Sequence, residues 1–315
     1  MNTAWIFPGQ GSQSVGMGWD LCAEFPRANE ILEAASELSG FPLKEYCLRG
    51  PEDVLTRTDV LQPAMTAISV ACIELLREHG QAPDAVAGHS LGEFAALYAA
   101  GVLSATDTLR IVAARGRLMH RASEERPGRM IAVKDLPAAA VAEIAALVAR
   151  EHELGVANFN APGEMVLSGT TAGVESAIEL IAARGGRAIP LRVSGAWHSP
   201  LMAGIVPEFA AVVNEMRFAA PASPIYMNVT GRAESDPAKI RALVIRQLTS
   251  PVLWSQIVER LAEQGVRTWL EVGSGKVLRG LLRRILPETA YVAHGIEKPR
   301  NVRQLARPEP SGVTL

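Results

Sequence analysis

The stretch AVAGHSLGEF, from Ala85 to Phe94, restricts the possible folds of this chain more than any other. A short apolar run ends at Gly88, a single serine sits between two glycines, and a helix-like apolar run begins at once. Glycine accepts close backbone approach and positive φ, which a Cβ forbids. A turn with glycine on both sides of Ser90 can therefore be very tight. It fits G-x-S-x-G in the strand–turn–helix setting that a nucleophile elbow requires. Such an elbow lifts the serine hydroxyl out of the sheet. The Leu91 amide and the positive end of the following helix would face an oxyanion there. The competing reading is a plain turn holding a buried serine.

The rest of the chain repeats the strand-to-helix rhythm. TAWIF (Thr3–Phe7) reads as a strand ending in the loop PGQGSQ. VLQPAMTAISVACIELLREHG predicts a helix with Pro63 in its first turn and Gly80 as its cap. SATDTLRIVAARGRLMHRA predicts another, opened by Ser104 with Asp107 at capping-box spacing. Strands alternating with helices imply a mainly parallel α/β sheet. Near residue 124 the order changes. RMIAV, LPAAAVAEIAALVARE, GVANFN, EMVLSGT, AGVESAIELIAARGG and RAIPLRV give βαββαβ, the ferredoxin-like order. The expected organisation is a large α/β domain of residues 1–123 and 195–296, with 124–194 inserted as a small subdomain. Past the insert, SPLMAGIVPEFAAVVNEM, PAKIRALVIRQLTS and PVLWSQIVERLAEQG read as helices, IYMNVT as a strand and TWLEVG as the last strand. The polar, proline-bearing tail 297–315 is expected to be loosely held.

Composition narrows the function. At 315 residues and 48% hydrophobic, the chain can bury a large core. A net charge of -2 gives no bulk attraction to nucleic acid or an anionic membrane, so neither is an expected partner. No apolar run reaches the roughly 18–20 residues that span a bilayer, and MNTAWIFPGQ lacks the basic start of a signal peptide. Three scattered cysteines, Cys22, Cys47 and Cys72, form neither a disulfide framework nor a zinc site. A cytoplasmic monomer without metal or bound cofactor is expected.

A nucleophilic serine needs a base. Of six histidines, His79, His120, His152 and His294 fall at polar positions. His89, next to Ser90, would point away from it and pack. His198, in VSGAWHSPLM, follows a strand and precedes a helix with Ser199 as N-cap and Pro200 at N1. Loops at strand ends are where α/β sites gather, which favours His198. The loop FPGQGSQ is a plain turn, or it places the Gln10 amide as a second oxyanion donor; no G-K-[ST] follows, so it is not a phosphate loop. Arg110, Arg117 and Arg121 form a basic stripe, but Arg115 falls among the apolar positions of Ile111 and Leu118. A charge there needs a partner, either an internal carboxylate or one brought by a ligand.

Together, FPGQGSQSVGMG, TDVLQPA, GHSLGEFAAL, ARGRLM, ANFNAPGE, GAWHSPLM, QLTSPVLW and EVGSGKVL resemble the malonyl-CoA:acyl carrier protein transacylase family and the acyltransferase domains of polyketide synthases. The blocks keep the family order from residue 7 to about 278. The resemblance implies an α/β-hydrolase-like domain with a ferredoxin-like insert, and ping-pong transfer of malonyl from malonyl-CoA to the phosphopantetheine thiol of an acyl carrier protein. It implies Ser90 as nucleophile, His198 as base, and the Gln10 and Leu91 amides as oxyanion donors. The Gln247 carbonyl would orient His198, and Arg115 would bind the malonyl carboxylate. Gln62 and Asn160, in two of the matching blocks, are implied as further substrate-binding residues. Such enzymes serve fatty acid and polyketide synthesis.

Two positions depart from the family pattern. Trp197 stands where phenylalanine is usual, and its larger ring is expected to favour malonyl over methylmalonyl. Glu164 stands where glutamine is usual, and is expected on the surface of the insert. Lys276, Arg279, Arg283 and Arg284 on one late helix, with Arg117, are candidates for meeting an acidic carrier. The rival function on the same fold is an acyl hydrolase of a polyketide pathway. A dedicated carboxylate grip at Arg115 speaks against it, and against a lipase-like esterase. The intact set of reactive residues speaks against a carrier-docking protein without catalysis.

Overall fold

The computed structural model describes residues 1–305. Among the described residues, ten strands form two sheets. They are β1 (Thr3–Phe7), β2 (Ala85–Gly88), β3 (Gly128–Lys134), β4 (Leu154–Ala161), β5 (Glu164–Thr170), β6 (Arg187–Pro190), β7 (Ile225–Met227), β8 (Arg232–Glu234), β9 (Thr268–Val272) and β10 (Val292–Ile296). The larger sheet has the order β10-β9-β1-β2-β7-β8 and is parallel apart from the β7–β8 pair. The smaller, β4-β5-β3-β6, is antiparallel throughout. The fold is an α/β-hydrolase-like domain with a ferredoxin-like insert.

Strand alternation explains the layers. In β1, Trp5 and Phe7 point into a core shared with the helix Thr58–Glu78, while Ala4 and Ile6 face Trp254, Ile257 and Leu282. A strand covered on both faces reads as a continuous apolar run, as TAWIF does. The insert has its own core, including Ile131, Val133, Ile144, Leu167 and Ile181. It is also tied to the large domain by backbone. The Phe159 N–H donates to the Val252 carbonyl (2.9 Å), and the Val252 N–H donates to that of Ala157 (2.8 Å).

Several local expectations change. The helix expected from Val60 starts at Thr58, so Pro63 lies inside it. Proline lacks the N–H that would bond the Asp59 carbonyl, and sits near enough to the N-terminus for the helix to run through. The segment after His198 begins as a 3-10 helix, Pro200–Ile205, before the α-helix Val206–Glu215. TWLEV is followed by another strand, β10, in which Val292 and His294 are exposed at the sheet edge, so its sequence carries little apolar signal. The tail is also more ordered than expected: Pro299–Leu305 is a helix with Val302 buried. Residues 306–315 of that tail lie outside the described residues. Ser104 does cap its helix, accepting from the Asp107 N–H at 3.0 Å. Within the long apolar helix Thr58–Glu78, 94% of its most apolar 18-residue window is buried, as in a core helix.

Candidate active site

Strands β1 and β2 are neighbours at the centre of the sheet, and the loops leaving their C-terminal ends meet. The His89 N–H donates to the Phe7 carbonyl at 2.9 Å and holds the two loops together. Ser90 has φ 51°, the left-handed region that a non-glycine residue occupies only under constraint. A Cβ at Gly88 would fall 2.0 Å from the Gly92 carbonyl carbon, and one at Gly92 would fall 2.0 Å from the Phe7 oxygen. Both glycines are therefore obligatory for the turn that exposes Ser90. Asn228, just past the end of β7, braces it: its Oδ1 accepts from the Ser90 N–H (2.7 Å) and its Nδ2 donates to the Gly88 carbonyl (2.6 Å).

His198 comes from the loop before the 3-10 helix, where Ser199 caps and Pro200 follows as expected. It too has positive φ, 57°. Its Nε2 lies 2.7 Å from the Ser90 Oγ. Its Nδ1 lies 3.0 Å from the Gln247 carbonyl and 3.1 Å from that of Ser250. Two carbonyls around Nδ1 require it to carry the proton, so the Nε2 lone pair faces the serine hydroxyl. Burial pushes the imidazole pKa down to about 3, and the Arg115 charge adds to this against the pull of the carbonyls. The ring is thus a neutral acceptor poised to take the serine proton.

Two backbone amides come from residues at the dyad: that of Leu91, which follows Ser90 just before the helix Gly92–Ala99, and that of Gln10, which lines the same cavity as Ser90 and His198. Among the described residues neither has an acceptor. The Gln10 side chain is fixed by its Nε2, which donates to Thr58 Oγ1 at 2.8 Å.

Arg115 is 1% exposed on the helix Ala105–Glu125. Its Nη1 donates to Gln62 Oε1 (2.8 Å) and its Nη2 to Gln247 Oε1 (3.0 Å), with Nη2 also 3.4 Å from Ser90 Oγ. The guanidinium lies over the Phe94 ring, 5.4 Å from its centroid. Among the described residues no carboxylate pairs with it directly. Burial pushes its pKa down to about 10, countered by the charge of Glu93, so it stays a cation at neutral pH. Of the two readings of Arg115, the internal salt bridge is not what the structure contains.

A cavity of about 220 Å³ opens over the dyad, lined in part by Gln10, His89, Ser90, Asn160, Trp197 and His198. Leu91, Gln62, Gln247 and Arg115 are buried behind this wall. Asn160 lines the cavity through a hydrogen bond from His89, Nε2 to Oδ1 at 2.9 Å, and Gln62 acts on Arg115 instead. His89 packs edge-on against Trp254, turned from Ser90 as expected. His79 and His294 are exposed, and His120 and His152 are half-buried.

Glu164 is a correction. It lines the cavity rather than an open surface, bonded to Arg284 and 3.4 Å from Lys134. Burial opposes its charge, but Arg284 and Lys134 together hold its pKa below the usual value. The expected basic cluster is also partly spent. Arg279 is paired with buried Glu271 at 3.0 Å, and Arg284 with Glu164. Lys276 and Arg283 remain exposed at the two ends of the helix Val277–Ile285, whose Val277, Leu278 and Leu281 line the cavity. Arg117 is exposed near Glu208, away from the cavity wall. The sequence reading missed Glu93, Asn228 and Thr58. A carboxylate inside the apolar run GEFAALYAA was the one available signal, of the same kind that singled out Arg115.

Comparison with known proteins identifies the family and the fold. The chain matches the acyl transferase domain family over residues 4–302. It is 39% identical to a malonyl CoA-acyl carrier protein transacylase of Haemophilus influenzae, covering 92% of this chain and 94% of that protein. An acyl carrier protein S-malonyltransferase of Vibrio cholerae superposes with a TM-score of 0.91 at 38% identity, covering 97% of this chain and 100% of that one. A malonyl-transacylase solved in complex with a type II polyketide synthase acyl carrier protein gives a TM-score of 0.91 at 37% identity, covering 96% of this chain and 98% of that one.

Proposed function

Since the chain belongs to the acyl transferase family of malonyl-CoA:acyl carrier protein transacylases, we infer that Ser90 carries a malonyl group from malonyl-CoA to the phosphopantetheine thiol of an acyl carrier protein. The observation that carries this reading is Arg115, a buried cation 3.4 Å from the Ser90 hydroxyl whose other hydrogen bonds, among the described residues, go to two amide oxygens. The carboxylate it lacks is the one a malonyl ester on Ser90 would bring, gripped by two parallel hydrogen bonds.

The chemistry follows from the dyad. The Ser90 hydroxyl gives its proton to His198 Nε2 as its oxygen bonds to the thioester carbon. The resulting oxyanion accepts from the Gln10 and Leu91 amides. As the C–S bond breaks, the imidazolium returns the proton to the CoA sulfur. The carrier thiol then gives its proton to His198 and attacks the Ser90 ester. Ser90 leaves as the alcohol, taking that proton. The Gln247 carbonyl, with that of Ser250, keeps His198 in the right tautomer and steadies the transient imidazolium. No resident cofactor enters either half-reaction. Hydrolysis on the same fold has no observation of this kind in its favour.

Intact-protein mass tests the reading. Brief mixing with malonyl-CoA should add one malonyl group, and a phosphopantetheinylated carrier should then remove it and gain it. Release of free malonate with the carrier unloaded would make the protein a hydrolase.

The neutral His198 gives a pH prediction. Its pKa is lowered by burial, so it gains a proton only far below 6.5. Acylation of Ser90 is expected to stay level as pH falls through 6.5, measured by rapid quench; a half-loss there would mean the base is an ordinary exposed imidazole.

Trp197, 4% exposed in the cavity wall, supports selection of malonyl over methylmalonyl, since a single methyl contributes about 1–3 kcal/mol to discrimination in such a pocket. Carrier docking is supported at Lys276 and Arg283, exposed cations of the helix that flanks the cavity for which no carboxylate partner is found among the described residues. Arg283→Glu is expected to raise the KM for carrier protein severalfold at low salt and to leave that for malonyl-CoA unchanged; equal effects on both would remove this helix from the docking surface. Arg279, Arg284 and Arg117 are secondary in this role, two being paired and one distant. The dyad, both oxyanion amides and Arg115 all come from one chain, which supports action as a monomer. Three unpaired thiols and a net charge of -2 fit a cytoplasmic enzyme that needs neither membrane nor nucleic acid.

A further inference from the structure

Glu93 is a carboxylate with 0% exposure in the first turn of the helix that follows the elbow. Nothing in the reaction sequence above uses it. Burial pushes its pKa up to about 8 against the pull of the Asn228 N–H, the Gln247 amide and the Arg115 charge, yet the groups facing it are donors, which suit the ionised form. A carboxylate is retained in such a place only if its oxygens are well occupied. Both are. Oε2 accepts from the Asn228 backbone N–H at 2.5 Å, and Oε1 accepts from Gln247 Nε2 at 3.0 Å.

These two contacts reach the whole site. The Gln247 Nε2 also donates to the Ser90 carbonyl at 3.1 Å. With two acceptors on its nitrogen side, the Gln247 carboxamide has one orientation open to it, oxygen toward Arg115 Nη2 at 3.0 Å. If the carboxamide turned over, an NH2 group would face the guanidinium. Through Asn228, the same carboxylate anchors the residue that accepts from the Ser90 amide.

We propose that Glu93 is a positioning residue that sets the preference of the site for an acyl group ending in a carboxylate, by fixing the Gln247 carboxamide that holds Arg115 beside Ser90. This rests on the reading of Arg115 as the partner of the malonyl carboxylate. Glu93→Gln keeps the shape but supplies one acceptor and one NH2 where two acceptors are needed, so either the Asn228 N–H or the Gln247 NH2 meets a donor.

The test compares malonyl-CoA with acetyl-CoA, which lacks the carboxylate, as donors to Ser90. In Glu93→Gln the ratio of kcat/KM for malonyl-CoA over acetyl-CoA should fall by about 10–100-fold, in the upper part of the range of couplings within one hydrogen-bond network. A merely structural role would lower both donors together and leave the ratio unchanged, which would overturn the assignment. Gln247→Met gives a second route should Glu93→Gln fold poorly. It keeps the backbone carbonyl for His198 and removes the carboxamide, and should cause the same fall. In the double variant the fall should not deepen; additive losses would mean the two residues act separately. Arg115→Lys, measured alongside, separates the two ideas. Loss of preference there but not in Glu93→Gln overturns the Glu93 assignment alone. An unchanged preference in Arg115→Lys as well overturns the reading of Arg115.

Discussion

Ser90→Ala is expected to lower kcat for malonyl transfer by about 10⁴-fold or more, the usual cost of removing a nucleophile that acts as a unit with its base. The mass measurement makes the reason visible: no malonyl adduct forms on the variant at any malonyl-CoA concentration. Malonyl-CoA should still bind, because Arg115, Gln62 and the cavity wall are unchanged. The strained turn should relax little, since Gly88, Gly92 and Asn228 hold it independently of the Ser90 hydroxyl. A Ser90→Ala enzyme that still gains a malonyl group would place the acyl group elsewhere and end the elbow mechanism.

Arg115→Ala is expected to cost about 10³-fold in kcat/KM for malonyl-CoA. Two hydrogen bonds to a charged group contribute about 1.5–3 kcal/mol each, and their sum sets that scale. The malonyl carboxylate would otherwise enter a dry site with no counter-charge. Acetyl-CoA has no group to lose, so its acylation of Ser90 should hold steady or improve as the positive charge beside His198 is removed. Measured initial rates with both donors check this. Parallel losses for the two donors would make Arg115 a structural residue rather than a specificity element.

The parts of this protein that follow short-range rules were legible in its sequence. GHSLG encodes its own turn through two glycines, and the continuous apolar run of β1 and the βαββαβ order of the insert encode their sheets. Arg115 was legible as an anomaly, a cation on an apolar face. The hydrogen-bond partners were not, because Gln247, Asn228 and Glu93 meet only after distant loops converge. Nothing in MNVT marks Asn228 as the brace of Ser90. The role of the Gln247 carbonyl came from the family resemblance, since a backbone oxygen leaves no trace in residue type. Glu164 was misplaced for a related reason. Its partner Arg284 lies 120 residues away, so its short-range setting showed a solvated hairpin and not a neutralised cavity wall. Strand β10 and the final helix were missed because their packing partners, and not their own composition, hold them in place.

The backbone tie between the insert and the large domain has a mechanical meaning. Val252, which exchanges hydrogen bonds with Ala157 and Phe159 of β4, follows closely on Ser250, whose carbonyl bonds His198 Nδ1. The strand that walls one side of the cleft is thus coupled to the peptide segment that sets the imidazole proton. A rigid rocking of the insert could not widen the entrance without tugging on the base.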